Sequence, residues 1–239
     1  MTRPCGHPAF EDIYTASREV GRHLELLQKL GVEFLPVPQA GPNAPSCPDD
    51  RKERLEELYR EASACRRCAI SRTRTRLVFG AGSPCARLMF IGEAPGYHED
   101  QQGIPFVGPA GQLLTRIIQA IGLTRDEVYI ANILKCRPPE NRNPTPEETL
   151  NCYPFLMRQI ELIKPAIIVA LGGVAAKKLL KTDRPTGALR GEFHDFQNTR
   201  LIVTFHPAYL LRNPADKAKT WEDMKLVRDH LRSLGDTGK

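Results

Sequence analysis

The stretch RLMFIGEAPGYHEDQQGIPFVGPAGQLLTRIIQAIG, residues 87–122, contains two hydrophobic patterns joined by a loop rich in glycine and proline. Its first six residues include a continuous apolar run, which predicts a short buried strand. From residue 108 onward, leucine and isoleucine recur at helical spacing, which predicts an amphipathic helix. Glu93 follows the strand directly, so a charged side chain stands where a buried element ends.

The same alternation of apolar run and helical pattern continues along the chain. Further strands are predicted at residues 126–135, 165–173 and 200–207, and further helices at residues 145–163, 174–181 and 214–234. Strands that are apolar throughout and alternate with helices are typical of a parallel sheet covered on both faces. We therefore predict an α/β fold, a three-layer α/β/α sandwich with a central four-stranded parallel sheet.

The first 50 residues differ from the rest of the chain. Apolar residues at helical spacing predict a helix within residues 1–35, and residues 34–50 contain five prolines, which predict an extended linker. We predict two regions, an N-terminal helical arm with its linker at residues 1–50 and a folded domain at residues 51–239. The arm is acidic, so we expect it to bind a protein partner or to cover the domain rather than to contact a polyanion.

Charge is distributed unevenly. The net charge of +6 divides into −3 for residues 1–61 and +9 for residues 62–239. Residues 62–92 contain no acidic residue but six arginines, namely Arg66, Arg67, Arg72, Arg74, Arg76 and Arg87. Such a basic segment suits a polyanion such as nucleic acid, although a solubilising surface would have the same composition.

The hydropathy of the chain predicts no membrane-spanning segment. No apolar run approaches the roughly 20 residues that span a bilayer, and the first residues lack the apolar core of a secretory signal. We therefore expect a cytoplasmic protein with no membrane partner.

Four of the seven cysteines have the spacing of a metal-ligand set. Cys65 and Cys68 form a C-x2-C pair; Cys136 follows after 67 intervening residues, and Cys152 after a further 15. Four thiolates suit tetrahedral zinc or an iron–sulfur cluster, and the spacing does not choose between them. Cys85 is an alternative ligand, and Cys136 and Cys152 could instead be small buried apolar residues.

Polar side chains occur at the ends of three predicted strands. Glu93 follows the first strand, Asn132 lies in the second, and His206 ends the fourth. In open parallel sheets, ligands bind beyond the carboxyl ends of the strands. The three side chains are therefore predicted to converge on one binding site.

Three motifs give the sequence a specific resemblance. GEAPGYHEDQQGIPFVGPAGQLL, YIANILKCRPPENRNPTPEE and TFHPAYLLRNP, together with the four cysteines, resemble the family 4 uracil-DNA glycosylases over about residues 52–233. The resemblance implies a monofunctional glycosylase that flips uracil out of DNA, hydrolyses its N-glycosidic bond and leaves an abasic site. It also implies a structural 4Fe–4S cluster on Cys65, Cys68, Cys136 and Cys152, a monomer, and the cytosol of a prokaryote.

The resemblance assigns roles to the residues that match the uracil pocket. Glu93, Ala94 and Pro95 lie in the first motif, and Phe106 is expected to stack on the flipped base. Ala94 stands where other uracil-DNA glycosylases have an aspartate that acts on the attacking water. That departure leaves the group that orients the water open, with Glu99 and Asn141 as the candidates for it.

The remaining assignments concern base reading and the DNA duplex. Asn132 is expected to pair with the uracil edge, and His206 to donate to uracil O2. Leu210 is expected to fill the space that the base vacates, with Leu211 beside it and Arg212 near a phosphate.

Several features of the sequence distinguish this glycosylase function from alternative functions. No lysine matches the pocket, so Schiff-base chemistry and strand cleavage are not expected. There is no G-x-G-x-x-G or G-K-[ST] motif, so no nucleotide cofactor is expected. Alternatives are a protein that captures uracil-containing DNA without turnover and a ferredoxin-like electron carrier; the 67 residues between Cys68 and Cys136 disfavour the carrier.

Overall fold

The computed structural model describes residues 49–236, so the predicted arm and most of its linker lie outside the described residues. A six-stranded mixed sheet forms the centre of the described part. Its strands are β1 (Ala81–Gly82), β2 (Leu88–Gly92), β3 (Tyr129–Asn132), β4 (Ile167–Leu171), β5 (Phe193–Phe196) and β6 (Thr199–Thr204). They are arranged in the order β1-β3-β2-β4-β6-β5.

The four predicted strands correspond to the middle of this sheet. β3, β2, β4 and β6 are parallel neighbours, and β1 and β5 add antiparallel edges. The mixed α/β class is confirmed, but the sheet has six strands rather than four. The sequence does not reveal the edge strands, because β1 has only two residues and β5, with the sequence FHDF, is only partly buried.

Within residues 49–236, eight α-helices surround the sheet. They are α1 (Asp49–Ala64), α2 (Tyr97–Gln102), α3 (Pro109–Ala120), α4 (Pro146–Ile163), α5 (Gly173–Leu180), α6 (Thr186–Leu189), α7 (Pro207–Arg212) and α8 (Lys217–Asp236). Short 3-10 turns lie at Ala69–Arg72, Pro139–Asn141 and Pro214–Asp216. The described helices include none that is long and apolar enough to cross a membrane.

The helix α4 begins where its sequence predicts. The Glu148 amide donates to Thr145 Oγ1 at 3.1 Å, and the Thr145 amide donates back to Glu148 Oε2 at 2.9 Å. This capping box satisfies two amide groups at the start of the helix, and Pro146 occupies its first turn.

Apolar side chains cover both faces of the sheet. Successive residues of β2 alternate between the faces, so that Met89 and Ile91 join one hydrophobic cluster and Leu88 and Phe90 join the other. The first cluster includes residues of α1, α4 and α5, and the second includes residues of α3 and α8. Helices on both faces leave the carboxyl ends of the parallel strands as the place for a site.

Candidate active site

A cavity of about 490 Å³ lies beyond the carboxyl ends of the parallel strands. Most of the predicted site residues line it: Glu93, Ala94, Pro95, Glu99, Phe106, Asn132, Asn141, His206 and Arg212. Four distant segments of the chain supply these residues, and the sheet brings them together because β2, β3 and β6 are parallel. The predicted convergence of Glu93, Asn132 and His206 is therefore observed.

Asn132 is the buried polar group of this cavity. Its side chain ends β3 and the residue is only 2 % exposed. Among the buried side-chain nitrogen and oxygen atoms of residues 49–236, Asn132 Oδ1 alone has no hydrogen-bond partner. An unpaired buried acceptor costs about 1–3 kcal/mol, so its presence in a cavity points to a ligand that donates a hydrogen bond.

Gly92 permits the close approach of two cavity side chains. A Cβ atom at this position would lie 2.4 Å from Asn132 Oδ1 and 2.6 Å from Phe106 Cζ. Both distances are too short for non-bonded atoms, so only glycine allows the amide and the aromatic ring to occupy their observed places.

Phe106 has an unusual backbone conformation. Its φ of 55° lies in the left-handed region, which costs energy for a bulky residue. Arg125 holds this turn by donating from Nη2 to the carbonyl of Pro105 at 2.7 Å and from Nη1 to that of Phe106 at 3.1 Å. The Phe106 ring centre consequently lies 5.6 Å from the ring of His206. The sequence does not predict this role for Arg125, because no local pattern links it to a turn 19 residues away.

Glu99 contacts the backbone of the glycine-rich loop. Its Oε1 accepts hydrogen bonds from the amides of Val107 at 2.9 Å and Gly108 at 3.0 Å, and its Oε2 accepts one from Gly96 at 3.1 Å. Both carboxylate oxygens are thus engaged by the protein. These hydrogen bonds fasten the loop that forms the cavity wall, and the action of Glu99 on water stays a prediction.

His206 is placed as a neutral hydrogen-bond donor. Its Nδ1 accepts from the Ala208 amide at 3.1 Å at the start of α7, which leaves the proton on Nε2. Burial, and to a smaller extent the positive charge of Arg212, lower the pKa of His206 to about 4, while the charge of Glu99 opposes the shift. The imidazole is therefore uncharged near neutral pH.

The carboxyl group of Glu93 lies in a poorly hydrated place. Glu93 lines the cavity immediately after β2, and burial raises its pKa above the usual range. Its backbone carbonyl accepts from the Leu134 amide at 3.0 Å, which continues the pairing of β2 and β3. The side chain is held at the cavity wall by this continuation of the sheet.

Asn141 lies at the exposed rim of the cavity. Its Oδ1 accepts from Arg137 Nε at 2.7 Å, and the guanidinium of Arg137 lies 5.2 Å from the ring centre of Tyr97. The backbone φ of Asn141 is 55°, like that of Glu140 before it. The Arg137 contact was not predicted, because the residue precedes a turn whose shape the sequence does not specify.

The predicted roles of two leucines require a correction. Leu210 is 0 % exposed and packs between α3 and α8, so it is not accessible to a DNA duplex in this conformation. Leu211 is 41 % exposed, and Arg212 after it is exposed and lines the cavity. Of the two adjacent leucines, Leu211 is therefore the one whose side chain is accessible.

The four cysteines come together at a second cavity. Cys65, Cys68, Cys136 and Cys152 line it together with Arg74 and Lys135. Cys136 Sγ accepts from Arg74 Nη1 at 3.1 Å, and Cys152 Sγ accepts from the Lys135 amide at 3.2 Å. Cys85 does not line this cavity, and its sulfur accepts from Arg51 Nη1 at 3.3 Å.

The chemistry of this cavity fits a thiolate-bound group. Burial raises the pKa of Cys152 to about 11 and also raises that of Cys136, so these thiols favour the protonated form unless a bound cation displaces the proton. The positive charge of Arg74 and the amide of Lys135 favour the thiolate forms. Within residues 49–236, no three histidine, cysteine or carboxylate side chains are grouped as ligands of a single metal ion.

The basic segment before β2 is only partly available to a polyanion. Arg66, Arg72 and Arg76 are exposed, whereas Arg74 turns inward to Cys136. Arg87 donates to the carbonyl of Leu231 at 3.1 Å. The predicted basic face is thus smaller than its arginine count indicates.

The chain is similar to known proteins. A family model described as the uracil DNA glycosylase superfamily matches residues 79–225. Proteins named type-4 uracil-DNA glycosylases are similar to it: that of Archaeoglobus fulgidus is 42 % identical over 73 % of this chain and 92 % of its own length. Those of Sulfurisphaera tokodaii and Thermotoga maritima are 43 % and 40 % identical, over 73 % and 77 % of this chain and 84 % and 98 % of their own lengths. This chain therefore belongs to the uracil DNA glycosylase superfamily and, within it, to the type-4 uracil-DNA glycosylases.

Proposed function

We propose that the protein removes uracil from DNA by hydrolysing the N-glycosidic bond, which leaves an abasic site for base excision repair. The observation that carries this proposal is the buried, unpaired Oδ1 of Asn132 in a cavity shared with Phe106 and His206. A glycosylase needs a base-reading group, a stacking face and a donor to the departing base. This cavity supplies all three.

Asn132 would read the base. Its Oδ1 accepts from uracil N3–H, and its amide nitrogen donates to O4. Cytosine carries an acceptor at N3 and an amino group at C4, so it opposes both interactions. A buried amide that is left unpaired by the wrong base discriminates strongly, by several powers of ten in favourable cases.

The base has to leave the duplex before it can enter the cavity. Unstacking costs a few kcal/mol, which stacking on Phe106 and insertion of an apolar side chain offset in part. The exposed Leu211 is the candidate for insertion, and Arg212 beside it is the candidate for a phosphate contact.

Bond cleavage places negative charge on uracil. The Nε2–H of neutral His206 donates to O2 and stabilises the departing anion. The two candidates for positioning water are Glu99, whose Oε2 accepts a single hydrogen bond from Gly96, and Asn141, whose Oδ1 accepts from Arg137 at the rim of the cavity. No lysine lines the described cavity, which supports hydrolysis without a Schiff base.

Cys65, Cys68, Cys136 and Cys152 would hold a 4Fe–4S cluster. When bound, the cluster supplies a covalent tie between the segment after α1, the segment after β3 and the middle of α4. The cysteines' shared cavity supports this proposal. Its test is the iron and sulfide content of the purified protein, compared with a Cys152→Ser variant.

The function is tested with a labelled oligonucleotide that contains one uracil. Abasic sites are revealed by cleavage in hot alkali, and wild-type protein is compared with Asn132→Ala. Asn198→Gly, in the turn between β5 and β6, is the matched control because it removes an asparagine side chain away from the cavity. Cleavage by wild type and control but not by Asn132→Ala supports the proposal. Tight binding of uracil-containing DNA without product would instead favour the capture protein.

A further inference from the structure

A lysine lies buried directly beneath the base-reading residue. Lys135 is 1 % exposed, and its Nζ donates to the backbone carbonyl of Asn132 at 2.8 Å. The same ammonium donates to Gln159 Oε1 at 2.5 Å and lies 5.9 Å from the ring centre of Phe79. Lys135 does not line the uracil cavity, so the proposed chemistry makes no use of it.

The hydrogen bonds of Lys135 continue through Gln159 into a buried network. Gln159 Nε2 donates to the Phe79 carbonyl at 3.0 Å and to the Tyr129 hydroxyl at 3.1 Å. Tyr129 begins β3 and Asn132 ends it, so the network spans the length of this strand on one side of the sheet. A buried ammonium is costly unless it is fully hydrogen-bonded, and an apolar side chain would fill the same space at lower cost. A buried amine that spends its donors on Asn132 and Gln159 needs a reason other than packing.

The backbone of Lys135 is fixed independently of its side chain. Its amide donates to Cys152 Sγ at 3.2 Å, and its carbonyl accepts from the Val78 amide at 2.9 Å. The backbone of Lys135 therefore lies beside the cysteine cavity. Its side chain extends back to the carbonyl of Asn132, three residues earlier, at the end of β3. Through this arrangement, the position of Asn132 depends on a group anchored at the cysteine cavity.

We propose that Lys135 is a positioning residue for uracil recognition, which holds the carbonyl of Asn132 so that the Asn132 amide faces the base. The inference rests on the proposed role of Asn132 in reading uracil. Because the neighbouring amides of Ile133 and Leu134 already bind the carbonyls of Gly92 and Glu93, the contact with Lys135 adds support from the opposite side of the strand end.

The test is a double-mutant cycle in single-turnover uracil excision with Lys135→Met, Asn132→Ala and the double variant. We expect Lys135→Met to lower the excision rate about tenfold or more while the affinity for abasic-site DNA stays near that of wild type. In the Asn132→Ala background the same change should have little further effect, which gives a coupling of about fivefold or more. Iron content is measured in every variant, so that loss of the metal group is not mistaken for loss of positioning.

Gln159→Met is the matched control. It breaks the same buried network but leaves the contact between Lys135 and Asn132, so we expect lower thermal stability with an excision rate near that of wild type. If Lys135→Met does not fold, the cycle is run with Lys135→Gln, whose side-chain amide still donates but is one atom shorter.

The outcomes separate the two proposals. Additive losses in the cycle, or equal losses for Lys135→Met and Gln159→Met, would overturn the positioning role of Lys135 alone. Full excision by Asn132→Ala would overturn the base-reading role of Asn132 and the Lys135 inference with it.

Discussion

Replacing Glu99 by glutamine tests whether this residue acts on the loop or on the reaction. The amide oxygen of glutamine can keep the hydrogen bonds from Val107 and Gly108, but its NH2 group then faces the amide of Gly96. Loss of one bond to a charged acceptor, with two donors facing each other, costs about 1.5–3 kcal/mol. For a domain of this size, the melting temperature should fall by about 3–12 °C.

Calorimetry and uracil excision are measured on the same preparations of wild type, Glu99→Gln and Glu99→Ala. Glu99→Ala removes the acceptor of all three amides, so its melting temperature should be the lowest. Glu161→Gln, which removes an exposed carboxylate on α4, controls for the change of charge. An unchanged melting temperature together with a large loss of excision by Glu99→Gln would refute the reasoning, since the carboxylate would then act on water or substrate.

Four further substitutions test the cavity and its surroundings. Gly92→Ala pushes the base-reading amide and the stacking ring apart, so kcat/KM should fall by about 100-fold, measured on single-stranded uracil substrate. Leu211→Ala should lower excision from duplex DNA by about tenfold and leave single strands nearly unaffected, whereas Leu210→Ala should cost about 2–5 kcal/mol of stability in chemical denaturation. His206 has a folded pKa of about 4 against about 6.5 when unfolded, so the unfolded chain binds the proton first. The free energy of unfolding of the wild type should therefore fall by about 2–3 kcal/mol more than that of His206→Gln as the pH falls from 6.5 to 4. Above that window, the free energies of unfolding of the two proteins should depend on pH with the same slope.

Each of these expectations has a contrary result. Normal turnover by Gly92→Ala would mean that the two side chains can move apart without harm. Equal effects of Leu211→Ala on single and double strands would exclude insertion, and parallel stability curves for wild type and His206→Gln would show that the imidazole titrates normally.

The elements that the sequence predicts well are those with long apolar patterns. β2, β4, α3 and α4 bury continuous or periodic apolar residues, so their existence follows from hydrophobic periodicity. The short edge strands have no such pattern. Their pairing depends on neighbours that are distant in sequence, which local propensity does not contain.

The site residues divide in the same way. Asn132 and His206 could be predicted because parallel strands end at a common edge. Arg125 and Lys135 could not, because their partners are known only once the loop and the strand end have folded around them. Leu210 was predicted to be the accessible leucine of α7, but it is buried and Leu211 is exposed. Neighbouring helix positions differ by about 100° in direction, and the sequence alone does not tell which of the two side chains faces inward.

The unpaired oxygen of Asn132 lowers the stability of the free protein, although the proposed activity requires it. An apolar residue of similar size, such as leucine, would remove a buried acceptor that has no partner in the free enzyme, and would stabilise the fold by about 1 kcal/mol or more. Selection for thermal robustness alone would therefore eliminate this asparagine. In a library of variants screened only for heat resistance, substitutions should accumulate at position 132. In a library screened for repair of deaminated DNA, variants with a substitution at this position should be lost.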